Sequence, residues 1–140
     1  VDRKPTTAEI VLMASGAVAL IFSFFDFYSS DLPGVAGVSA WSSGLFPIAT
    51  YIPILGAIVA VQVALKVFAG IQMSPRVLGF TWQQIHLILG VFVLLIAVGY
   101  LLVDRSGLAS LAVGFWFMLL ASIGLLVGAI LETNEATSPR

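Results

Sequence analysis

This sequence predicts an all-α, polytopic membrane protein: one domain over residues 1–140, with four transmembrane helices in an antiparallel bundle and both termini cytoplasmic. Three observations lead there. The 140 residues are 60% hydrophobic and only 9% charged, at a mean hydropathy of +1.11, too apolar for a water-exposed surface. Apolar runs at residues 7–27, 47–69, 82–103 and 108–131 are each long enough to cross a hydrocarbon core of about 30 Å at about 1.5 Å rise per residue. The basic residues are lopsided: Arg3, Lys4, Lys66, Arg76 and Arg140 fall on the side of the termini and Arg105 on the other, and the Lys/Arg-rich side of a membrane protein is the cytoplasmic one.

The first span follows a short basic stretch but ends in FFDFYSSD, with no small-residue cleavage pattern, so it reads as an uncleaved helix rather than a signal peptide. Thr6 and Glu9 have the spacing of a reciprocal capping box that starts this helix. Ser15, Ala19 and Ser23 repeat every four residues, a narrow stripe that lets another helix approach. Asp26 closes the span as an interfacial carboxylate facing water or Arg105.

Residues 28–46 form the external loop. They are rich in Ser and Gly yet carry Leu32, Val35, Val38, Trp41, Leu45 and Phe46, which predicts a segment lying on the membrane surface or folded over the helix ends, with Tyr28, Trp41 and Tyr51 in an aromatic belt. In the second span Pro53 lacks a backbone donor and predicts a kink near residues 50–54, and Gly56, Ala60 and Ala64 make a second small-residue stripe. Ser74-Pro75 to Gly79 has the pattern of a one-turn helix. Thr81 and Gln84 repeat the capping box at the start of the third span.

The exit Asp104-Arg105-Ser106-Gly107 is short enough to make the third and fourth spans an antiparallel hairpin. In the fourth span Ser110, Gly114, Phe117, Ala121, Gly124 and Gly128 alternate four- and three-residue steps. This candidate packing seam includes a GxxxG and is expected to face either the third span, at Gly90 and Ala97, or the same seam of a second copy. The tail ETNEATSPR reads as polar and frayed.

Composition excludes several classes of function. A net charge of −1 with six Lys and Arg residues leaves no basic surface for nucleic acid. With no cysteine there is no disulfide, thiolate metal site or covalent haem attachment. No phosphate-cradling glycine loop, HExxH or GxSxG occurs, and no catalytic, cofactor-binding or metal-binding residue is assigned.

The candidate polar cluster is Gln62, Gln83, Gln84 and His86. A lone membrane histidine can ligate haem, relay protons or sense pH, but a bis-histidine haem needs a second histidine, which only a homodimer would supply. Polar groups in lipid are costly unless paired, so Gln62 is expected to bond to His86, Gln83 or Gln84. Phe24-Phe25, Phe115-Trp116-Phe117 and Tyr100 could hold a quinone or lipid, although packing is the commoner use of such rings.

The stretches WSSGLFPIATYIPILGAIVAVQVALKVFAG, VLGFTWQQIHLILGVF and GFWFMLLASIGLLVGAIL resemble small four-span membrane proteins of actinobacteria, especially mycobacteria, a group without an assigned activity. The likeness covers most of the chain and rests on hydrophobic pattern and a few polar positions. It implies a plasma-membrane protein of an actinobacterium and carries over no residue's role. The function expected is that of a non-catalytic accessory or assembly subunit, seated in the bilayer and packed against another membrane protein or a second copy. A small self-associating channel or transporter, with Gln62, Gln83, Gln84 and His86 at its cytoplasmic mouth, is the alternative. A haem- or quinone-associated redox subunit is the third reading.

Overall fold

Capping boxes open two of the four helices of the computed structural model. It describes residues 4–30, 32–34, 36–43, 45, 47–103 and 109–137. The basic residues Arg3, Arg105 and Arg140, the acids Asp31 and Asp104, Val35, Phe46 and the Asp104–Gly107 turn lie outside the described residues.

Helix α1 spans Thr7–Phe22, and both halves of its capping box form: Glu9 N donates to Thr6 Oγ1 and Thr6 N to Glu9 Oε1. At 16 residues it is about 24 Å long at about 1.5 Å per residue. It stops short of the expected Phe27 because the chain turns at Ser23 and Phe27 swings inward to complete burial.

Three further helices are apolar and long enough to cross a membrane: α2 (Tyr51–Phe68), α3 (Trp82–Leu102) and α4 (Val113–Thr137). Helix α2 starts later than the expected residue 47, so Pro53 falls in its first turn, where a missing N–H costs no intrahelical bond. The proline marks the start of the helix rather than a kink within it. Thr81 and Gln84 complete the second capping box, at the head of α3.

Two small sheets cover opposite ends of the bundle. Strand β1 (Tyr28–Ser30) pairs antiparallel with β4 (Ala109–Leu111), and Val38 bridges back to Tyr28, so the loop after α1 folds over the helix ends. At the end that carries both termini, β2 (Arg76–Val77) and β3 (Phe80–Thr81) form a hairpin where a one-turn helix was expected. Leu78 and Gly79 both have positive φ, 54° and 87°, as a two-residue primed turn between twisted strands requires.

The core is apolar through most of its middle, built from Leu12, Ala19, Val59, Val63, Val93, Ala97, Met118, Ala121 and Leu125. Glycine sets the helix order. A side chain at Gly16 would collide with the Gly56 carbonyl and with Ala60, so α1 crosses α2 backbone to backbone. Gly124 abuts Ser15 and Gly128 abuts Leu12. The seam on α4 therefore faces α1, which is neither of the two partners expected for it. Gly90 of α3 packs on the Leu125–Leu126 backbone of a different α4 face. Ser110 stands apart from the seam, in β4 and paired with Ser29.

Candidate functional site

All four helices bring polar side chains to the end that holds the termini, and each neighbouring pair is joined there. In the first turn of α1, Glu9 is only 3% exposed. Its first-turn position suits a carboxylate, since the helix N-terminus carries partial positive charge. Oε1 caps Thr6 N at 2.9 Å, and Oε2 lies 3.6 Å from Lys66 Nζ on α2. Lys66 sits in the last turn of α2, where a cation meets the negative end of the helix.

Gln62 lies one turn before Lys66, on the same face of α2. Its Oε1 is 2.8 Å from His86 Nε2 on α3, and its Nε2 donates to Met73 Sδ, 3.4 Å away in the following loop. His86 Nδ1 is 2.7 Å from Glu132 Oε1 on α4. One turn further on, Glu135 Oε2 accepts from Ala8 N of α1 at 3.4 Å. The contacts run α1 to α2, α2 to α3, α3 to α4 and back to α1, a closed polar ring around the bundle end.

Gln62, His86 and Glu132 are each at least nine-tenths buried, so each depends on the others for the hydrogen bonds water would otherwise make. Outside them an open cleft of about 780 Å³ is lined by Glu9, Gln62, Lys66, Trp82, Glu132 and Glu135, among others. The Trp82 ring lies 6.2 Å from that of His86, one helical turn away. The cleft gives the buried trio a route to water and, among the described residues, sets three carboxylates against one lysine.

The structure thus joins Gln62 to His86. Gln83 lines the cleft, whereas the exposed Gln84 is spent on the capping box. Both ring nitrogens of His86 are engaged, so ligating a haem iron would cost one of its two hydrogen bonds. Among the described residues no three His, Cys, Asp or Glu side chains are grouped to hold a metal ion.

Sequence reasoning overlooked Glu132, Glu135 and Glu9 as members of this site. The first two were assigned to a frayed tail, yet α4 runs on through them. A signal was present: Glu132 and Glu135 lie four and seven residues past Gly128, on the same side of the helix, and no glycine or proline interrupts the run before Pro139.

At the opposite end Asp26 is exposed, and its backbone carbonyl accepts from Gly114 N at 2.9 Å. The aromatic residues there stack on one another: Phe22 on Phe117, Phe24 on Trp41, and Tyr28, Tyr100 and Phe115 around Phe27. No protein-family model, curated protein or solved structure matches this chain.

Proposed function

We propose that the chain is a non-catalytic, four-span plasma-membrane protein of an actinobacterium, with both termini cytoplasmic, that works as an accessory or assembly subunit by packing against another membrane protein. The observation that carries this reading is the position of α3. It is the most apolar of the three long helices, with a hydropathy of 2.7, yet only 22% of its apolar window is buried, against 39% for α2 and 44% for α4. It rests on α4, meets α2 lightly and leaves Ile88, Val91, Phe92 and Leu95 outward.

The occupant that suits this face is a transmembrane helix of another protein. The cytoplasmic flanks of such helices are rich in Lys and Arg, and the cleft at the base of α3 has carboxylates in excess. The short α1 fits a fourth span if its aromatic exit, Phe24 and Phe25, lies at headgroup level.

The geometry counts against the channel reading. Gln62, His86 and Glu132 bond to one another within one protomer, and beyond them the core carries no ionisable group among the described residues until the far end. Among the described residues the buried polar groups between the two ends are hydroxyls such as Ser15 and Ser122, which supports the bundle's being packed rather than open.

Photo-crosslinking residues at Val91 and Leu95, introduced singly in native membranes, test the proposal. A discrete adduct with one integral membrane protein is expected from these positions and not from Ile58 on α2. A monomer in mild detergent whose α3 face yields only lipid adducts would overturn it. Reporter fusions after Arg76 and at the C-terminus should read cytoplasmic, and one after Trp41 external.

A further inference from the structure

With the Gln62 amide turned as it is, the hydrogen bonds around His86 close when the ring and Glu132 share one extra proton. Gln62 Nε2 points at the sulfur of Met73, which has no hydrogen and can only accept. Reversing the amide would set its oxygen against the sulfur lone pairs and lose that bond. Gln62 Oε1 is thereby turned to His86 Nε2, which must donate to it. A neutral imidazole has a single N–H. On the other side Nδ1 lies 2.7 Å from Glu132 Oε1, and without a second proton two lone pairs would face each other across that gap. The proton sits on the ring as an imidazolium facing a carboxylate, or on the carboxyl group facing a neutral ring, and it belongs to the pair.

We propose that His86 and Glu132, positioned by Gln62 and Met73, form a proton-binding site: one exchangeable proton latches α3 to α4, and its release frees Glu132 into the cleft and loosens that end of the bundle. The inference does not depend on the accessory-subunit reading. Gln62 and Glu132 both line the cleft, so the proton can exchange with water.

Glu9 on α1 is paired with Lys66 on α2, and Glu135 on α4 accepts from Ala8 N. Arg76 is turned away to the Gly79 carbonyl. Lys66 is the one cation among the described cleft residues, against Glu9, Glu132 and Glu135. Because opening releases a proton, the latch is closed at low pH, where a protonated Glu132 still accepts from Nδ1–H, and opens as pH rises.

The chain has one histidine, so 15N labelling of histidine in the full-length protein in nanodiscs reads this site alone. Expected are a proton on Nε2 throughout and a second proton on the Nδ1 side that leaves in a single step as pH rises. A cysteine replacing Gln83 should react faster with a water-soluble thiol reagent above that step. Glu132→Gln keeps a hydrogen-bonding group opposite Nδ1 but removes the negative charge that holds the second proton, and should move the step to lower pH while the protein stays folded. Met73→Leu frees the Gln62 amide to reverse and should lower the midpoint by about one pH unit, roughly tenfold in proton affinity. A His86 ring that keeps its proton on Nδ1 with a bare Nε2 at every pH overturns the proposal, and so does a step unmoved by Glu132→Gln.

Discussion

The two ends of the bundle face the same problem, closing four helices, and solve it with different chemistry. At the end with the termini, side chains do the joining through Glu9–Lys66, Gln62–His86–Glu132 and Glu135 to Ala8 N. At the other end backbone and rings do it: β1 pairs with β4, the chain from Phe27 bridges to Val38 and Ala112, and Phe27 is buried among Tyr28, Tyr100 and Phe115. Hydrogen bonds among charged side chains respond to protons and salt, whereas ring packing and backbone ladders do not. The polar end is therefore held by contacts that protons and salt can alter, and the aromatic end by contacts they leave alone.

The seam that ties both ends together is the strongest place to break this contrast. Gly124→Leu and Gly128→Leu place a side chain into Ser15 and Leu12 of α1, and overpacking at a backbone contact has nowhere to relax. Loss of the folded species on size exclusion is expected from either, while Leu120→Ile, at a position 61% exposed, should change stability by less than about 0.5 kcal/mol.

Phe27→Ala isolates the aromatic end. Emptying a fully buried ring site should cost about 3–5 kcal/mol. The resulting drop in Tm should be the same at pH 6 and pH 8.5, and a pH-dependent drop would show that the two ends are coupled.

A smaller effect of opposite sign is expected in the hairpin beside the cleft. Leu78 holds a left-handed backbone, φ 54°, while 94% exposed, which costs a residue with a Cβ about 1 kcal/mol or more. Leu78→Gly should raise Tm by a corresponding small amount. Lys66→Met should also have only a small effect. Lys66 is 47% exposed and pairs with Glu9 at 3.6 Å, and such pairs contribute about 0–1 kcal/mol. That loss should shrink as salt is raised, a sensitivity Phe27→Ala should lack.

Sequence alone was enough to predict the three long apolar helices and both capping boxes. Hydropathy over a window and the Thr-x-x-Glu/Gln pattern depend on residues a turn apart, and no distant partner is needed to decide them. The small-residue stripes were legible as stripes for the same reason.

What each stripe meets was decided by the tertiary structure. Gly124 would suit a third span or a second copy equally well, and only the assembled bundle selects Ser15 of α1. The hairpin at residues 76–81 and the pairing of Tyr28–Ser30 with Ala109–Leu111 rest on contacts that local propensity does not encode.

The polar site divides along the same line. The cost of a buried imidazole predicted that His86 would need a partner, and Gln62 was among the residues placed beside it. Glu132 lies 46 residues from His86 in the chain and by sequence reads as part of a polar, frayed tail. A carboxylate becomes a membrane-end partner only when α4 continues one turn past its apolar run and the seam turns that face inward, a consequence of packing that no local pattern of charge contains.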